Sequence, residues 1–216
     1  IPESRRITNI QKCIRTNDIE NVGVTKRHQT FFEMMGNFSV GDYFKNEAIE
    51  FAFELLTSEE YFGIDKDLIY VTIYSDDEQA KKRWIEVGLD ESHIVPLEGN
   101  FWEIGEGPCG PDSEIFFDRG EKYDPKGDAL ELFRKDEDQE RFVEIWNNVF
   151  SQFNSKEGVS REDYQELPSK NIDTGAGLER WCCIFQNVDS NFETDLFTPI
   201  IKHIEELASA KYTGQK

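Results

Sequence analysis

The spacing of the strand-like runs constrains this chain most. Leu68–Tyr74, Ile94–Leu97, Phe101–Ile104, Glu114–Asp118 and Phe142–Phe153 are rich in β-branched and aromatic residues. They crowd the middle of the chain without the regular strand–helix alternation of a parallel sheet. The fold class this predicts is α+β, an antiparallel sheet with helices packed on it.

Local patterns supply the remaining elements. Thr30–Phe38 reads as a strand interrupted by Gly36, and Lys12–Val24 begins extended and then turns polar. Ala48, Ile49, Ala52, Phe53 and Leu56 form one apolar stripe, predicting a helix over Asn46–Leu56. Ser75-Asp-Asp-Glu78 has a capping-box pattern, predicting a helix to Val87 with Gly88 as its stop. Gly105–Pro111 reads as a loop, Ser155–Ser169 as a loop or hairpin arm, and Ile172–Gly177 as a Gly-rich turn. That turn leads into a helix over Leu178–Phe185, and Asp195–Ala210 is a final amphipathic helix with Pro199 in its first turn. Residues 121–140 are polar and charged, as in an inserted surface flap.

Composition narrows the function classes. The 216 residues hold 24 Lys+Arg against 44 Asp+Glu, a formal net charge of -20. A surface built to grip a phosphate backbone is basic, so nucleic acid is met only at a local positive site. Aromatic residues make up 13%, including 17 Phe, which is core material rather than an acidic disordered tail. No run approaches the about 18 apolar residues of a membrane span. The four cysteines show no C-x-x-C spacing, so neither structural zinc nor a disulfide framework is expected, and a cytoplasmic compartment is. Opening at Ile1 with no targeting segment, the chain reads as an internal fragment. The charge is uneven: residues 1–45 hold seven basic against five acidic groups, so the rest carries -22.

Four segments carry groups suited to chemistry, each with a plain structural reading beside it. Arg15, Arg27 and His28 flank a polar loop, a hairpin able to surround a triphosphate or simply an exposed one. Asp173-Thr-Gly-Ala-Gly-Leu-Glu-Arg180 lets backbone approach a ligand and opens a helix, with Asp173 able to hold an ammonium group; otherwise it is a tight turn. In Glu144-Ile-Trp-Asn-Asn-Val-Phe150, strict alternation places Glu144, Trp146, Asn148 and Phe150 on one face and Asn147 among Ile145 and Val149 on the other. There Asn147 orients a small ligand or bonds to core backbone. Trp102, in Asn100-Phe-Trp-Glu-Ile-Gly105 before Gly107-Pro-Cys-Gly-Pro111, packs on a nucleobase or in the core. Three histidines leave little material for a hydrolytic triad.

Taken in order, these pieces resemble one family. Cys13-Ile-Arg15, Asn17-Asp-Ile-Glu-Asn-Val-Gly23 and the run from Arg27 to Phe44 closely resemble motif 2 of alanyl-tRNA synthetases. Asn100-Phe-Trp102, Gly107–Pro111, Glu144-Ile-Trp-Asn147 and Asp173–Arg180 follow in the family's order, the last as its motif 3. The resemblance covers essentially all of residues 1–216 as a partial aminoacylation catalytic domain, with motif 2 in 1–45 and motif 3 in 171–186. It implies a class II synthetase-like antiparallel sheet flanked by helices, without the N-terminal motif 1 part. It implies activation of L-alanine by ATP and Mg²⁺, then transfer to the acceptor end of alanine tRNA. By motif position, Arg15 and Arg180 are catalytic phosphate ligands. His28, Trp102, Ile145, Trp146, Asn147 and Gly177 join them at ATP, and Asn147, Asp173 and Gly175 hold alanine. Glu144 is the expected Mg²⁺ ligand only from its place beside the ATP strand. Lacking motif 1, the fragment alone is expected to be weak or inactive.

The departures are local. Thr16 leads straight to Asn17 where the family inserts Gly-Gly-Lys-His. Gln29 replaces a second His, Ala176 a Met and Asp112 a second Cys. The alternative reading is a non-catalytic, synthetase-derived binding module, which would have lost Arg15, Asp173 or Arg180; all three are present.

Overall fold

The computed structural model describes residues 3–17 and 19–214. In chain order the strands are β1 (Arg6–Ile14), β2 (Phe31–Val40), β3 (Ile69–Tyr74), β4 (Ile94–Leu97), β5 (Phe101–Trp102), β6 (Gly107–Asp118), β7 (Phe142–Ser155) and β8 (Gln165–Gly177). The helices are α1 (Lys45–Thr57), α2 (Glu78–Val87), α3 (Ala129–Arg134), α4 (Leu178–Phe185) and α5 (Thr198–Ala208). The chain divides into two compact units, residues 1–9 with 36–175, and 10–35 with 176–216. The strand order is β1-β2-β8-β7-β6-β3-β4, with β5 pairing β6. The α+β expectation holds.

In the first unit β3–β6, β5–β6, β6–β7 and β7–β8 are antiparallel, and β3–β4 is parallel. The parallel pair is the one joined through a helix, α2. One sheet face is covered by α1 and α2. The expected stripe of α1 is buried from Ala48 to Leu56, and the Trp84 indole of α2 donates to Ser113 Oγ of β6 (3.2 Å). Lys45 and Asp77 form a buried ion pair (2.5 Å), with Lys45 Nζ also 5.0 Å from the Phe150 ring. Burial holds the Lys45 pKa below its ordinary value despite Asp77.

Several boundaries differ from the sequence reading. The cap of α2 is Asp77, whose carboxylate accepts from Ala80 N, while Ser75 instead donates to Glu98. The Gly105–Pro111 loop is largely strand. β6 starts at Gly107, and its register against β7 shifts between Cys109 and Asp112, where Gly110 and Pro111 pair β5 instead. Pro111 has no N–H to give a ladder, which suits it to this irregularity. The Gly-rich turn is also strand, because residues 171–175 pair with 147–151 before α4 begins. Within 121–140, α3 buries Ala129 and Phe133 against Val95 and Phe142, so the segment supplies core side chains as well as surface charge.

A Cβ on Gly110 would lie 2.0 Å from the Phe150 carbonyl oxygen, a backbone atom with nowhere to go. Gly110→Ala is therefore expected to cost about 2–4 kcal/mol, read as a lower denaturation midpoint in urea.

Candidate active site

The opposite face of the first unit's sheet is polar, and strand register shows how it is built. Thr72 of β3 lies opposite Glu114 of β6, Glu114 opposite Asn147 of β7, and Asn147 opposite Gly175 of β8. A second row runs Asp112, Val149, Asp173. Alternation then places Asp112 with Glu114, Asn147 with Val149, and Asp173 with Gly175 on one face.

Glu144 joins that face through a bulge. Ile115 pairs Trp146 but Phe116 pairs Glu144, so Ile145 is an extra residue in β7. This corrects strict alternation, which sets Glu144 opposite to Asn147. Ile145 and Trp146 are buried, and Asn148 lies opposite Ser113 on the helix-covered face. Trp102 is half-buried on β5, its backbone paired with Gly110.

Hydrogen bonds tie the face together. Asn100 Nδ2 donates to Asp112 Oδ1 (2.8 Å) and Thr72 Oγ1 (2.9 Å), and Asn147 Nδ2 lies 3.5 Å from Glu114 Oε1. Burial pushes the Asp112 carboxyl up to about 6. Burial raises Glu114 as well, reinforced by the charges of Glu144, Asp112 and Asp136. Asp173 is open to water at its surface, yet the protein around it disfavours its charged form and raises its pKa. Among the described residues no Lys or Arg pairs with Asp112, Glu114 or Asp173, an arrangement that favours a bound cation. Carboxylate oxygens also suit a hard divalent ion such as Mg²⁺. Among the described residues no three His, Cys, Asp or Glu side chains converge as a ready-made metal cage. Mg²⁺ normally takes only one or two carboxylates and completes its shell with water and phosphate, so Glu144 and its neighbours fit that use.

The second unit holds the basic residues singled out by sequence. Arg15 follows β1, is exposed, donates its backbone N–H to Thr30 O (2.9 Å), and sets its guanidinium 5.8 Å from the Phe32 ring centroid. His28 is half-buried, with Nδ1 2.6 Å from Thr25 Oγ1. Gly177 caps α4 and Arg180 lies in its first turn. Glu179 is 5% exposed and accepts from the Glu33 N–H of β2 (2.9 Å), joining α4 to β2. Burial raises its pKa.

Sequence reasoning assigned no role to Thr72, Asp112, Glu114 or Glu179. Asp112 and Glu114 carry a signal, an i, i+2 carboxylate pair in which only Glu114 falls on the predicted strand Glu114–Asp118. Thr72 carried none, being β-branched in a strand.

A family model described as tRNA synthetases class II (A) matches residues 1–216. The chain belongs to the class II tRNA synthetase family. It is 62% identical over 214 residues to the alanine–tRNA ligase of Acholeplasma laidlawii, covering 99% of this chain and 25% of that protein. It is 60% identical over 212 residues to that of Streptococcus pyogenes, covering 98% and 24%. The chain thus spans about a quarter of the length of these curated relatives. Among solved structures, Staphylococcus aureus histidyl-tRNA synthetase is similar with a TM-score of 0.47 at 11% identity, over 100% of this chain and 59% of that one. Among the described residues no helix is long and apolar enough to cross a membrane.

The raised Asp112 pKa has a signed consequence. The folded chain holds this proton more tightly than the unfolded one, so Asp112 costs stability as pH rises from about 4 through 6. Asp112→Asn should gain about 2–3 kcal/mol over the wild type at pH 8 and lose that advantage by pH 4. Urea denaturation at the two pH values measures this; an equal difference at both contradicts it.

Proposed function

We propose that this chain carries the amino-acid activation chemistry of an alanine–tRNA ligase. In the full-length protein, a carboxylate oxygen of L-alanine attacks the α-phosphorus of ATP, and pyrophosphate leaves. The terminal adenosine of alanine tRNA then takes the alanyl group, releasing AMP. The observation that carries the reading is the ordered set of motifs, with Arg15, Asn147, Asp173 and Arg180 all present, in a chain about 60% identical to proteins named alanine–tRNA ligase.

The reaction needs no protein nucleophile, and its barrier is lowered by positioning and charge neutralisation. Asp173 receives the alanine ammonium, and that cation relieves the desolvation that raises its pKa. Asn147 and Gly175, adjacent on the same row, hold the rest of the amino acid. Arg15 binds the α-phosphate and Arg180 the terminal phosphates, each with planar bidentate donors. His28, Trp102 and Gly177 complete the ATP site, to which Ile145 and Trp146, whose side chains are buried, contribute through the β7 backbone. Mg²⁺ supplies charge neutralisation at the phosphates, with Glu144 as its protein ligand. With a net charge of -20, this part of the protein meets only the acceptor end of the tRNA. The activity belongs in the cytoplasm, with its tRNA.

Asp173→Ala in the full-length protein should weaken binding of a non-hydrolysable alanyl-adenylate analogue by at least about 100-fold, the loss expected of an unpaired buried ammonium. Unchanged affinity by calorimetry sinks the alanine assignment. Arg15→Ala should abolish alanine-dependent pyrophosphate exchange while its circular dichroism and melting curve stay at wild-type values. Exchange at the wild-type rate removes the phosphate role.

A further inference from the structure

Outside the residues assigned above, a buried polar cluster in the second unit grips the loop that carries Arg27 and His28. Ser190, Asn191 and Thr194 are 7%, 3% and 0% exposed. Polar side chains that deep are retained with their hydrogen bonds made. Here the bonds reach residues far away in sequence. Asn191 donates from its backbone N–H to Lys26 O (3.1 Å), and Ser190 Oγ donates to the same carbonyl (3.2 Å). Asn191 Nδ2 donates to Arg27 O (3.3 Å) and to Gln29 Oε1 (3.4 Å).

The direction of each amide follows from chemistry. The Arg27 carbonyl only accepts, so Asn191 turns its NH₂ toward it. The same NH₂ faces Gln29, which must therefore present its oxygen. Gln29 stands where the resembling family has a histidine, and Asn191 holds the amide that replaces it. The gripping segment is itself fixed. Thr194 Oγ1 donates to Asn191 O (2.7 Å), Phe192 N donates to Ser190 Oγ (3.2 Å), and Gln186 and Asp195 exchange two hydrogen bonds. Inside the loop, Thr25 Oγ1 accepts from His28 N (3.2 Å) beside its contact with the ring. Lys26–Gln29 is thus held from one side by Ser190–Asn191 and braced internally by Thr25.

We infer that Asn191 is a positioning residue for nucleotide binding: it fixes the backbone of Lys26–Gln29, so that the loop meets ATP already ordered. This rests on the proposed function, in which that hairpin binds ATP. Asn191 acts only through the loop and contacts no reacting atom.

The test uses the full-length protein, its Asn191→Ala variant, and Asn191→Asp, which keeps the size but cannot donate to the Arg27 carbonyl. In alanine-dependent pyrophosphate exchange, both variants should raise the ATP KM about tenfold or more and leave the alanine KM within about twofold. Hydrogen exchange of the amides at 26–29 should accelerate about tenfold or more, with α4 of the same unit unchanged. An unaltered ATP KM overturns the inference. So does an equal rise in both KM values with faster exchange throughout the unit, because Asn191 would then serve folding alone. If the wild type shows no alanine-dependent exchange, the functional reading fails by itself. ATP affinity by calorimetry and the exchange rates at 26–29 then decide the role of Asn191, and wild-type values for both overturn it.

Discussion

The β6–β7 ladder separates two chemistries that cannot share a face. Ser113 and Glu114 are neighbours in sequence but point to opposite sides, one to the Trp84 indole under the helices and the other to Asn147 on the polar face. A slip of one residue would drive Glu114 into the helix-covered core and carry Ile115 outward. The ladder is broken at two places, and both breaks serve the polar face. At the register shift against β7, Gly110 and Pro111 pair β5, the strand that holds Trp102, and the extra Ile145 brings Glu144 round to the side of Asn147.

That polar face explains the acidity of the chain as more than surface solubility. Asp112 is buried and Glu114 half-buried, desolvation raises the pKa of both, and Asp173 leans the same way. Groups of this kind cost stability when charged and recover it when a cation arrives. In the proposed reaction the cations are the alanine ammonium and the metal carried with ATP. Residues 1–45 carry +2 against -22 on the remainder, and in the proposed reaction their Arg15 meets phosphate.

The elements were legible wherever local chemistry alone decides them. The apolar stripe of α1, the β-branched run of β3 and the glycine stop of α2 needed no tertiary knowledge. Failures came where long-range pairing overrode local signals. Gly-Pro-Cys-Gly-Pro and Asp-Thr-Gly-Ala-Gly carry turn residues, yet neighbouring strands take up their backbone groups. The bulge at Ile145 leaves no mark in composition, so alternation alone sets Glu144 on the face away from Asn147. The site residues named from motifs do include one set, Glu144, Asn147, Asp173 and Gly175, that register brings to a single face. Thr72, Asp112 and Glu114 complete it only once strands from three parts of the chain are aligned.

The proposed activation of alanine has a direct readout. The most direct measurement is amino-acid-dependent exchange of labelled pyrophosphate into ATP by the full-length protein, run separately with each of the twenty amino acids. The account predicts exchange with alanine and, more weakly, with glycine and serine, which a pocket sized for one methyl group discriminates poorly. Exchange led by a larger or charged amino acid, or none with any of the twenty, would contradict it.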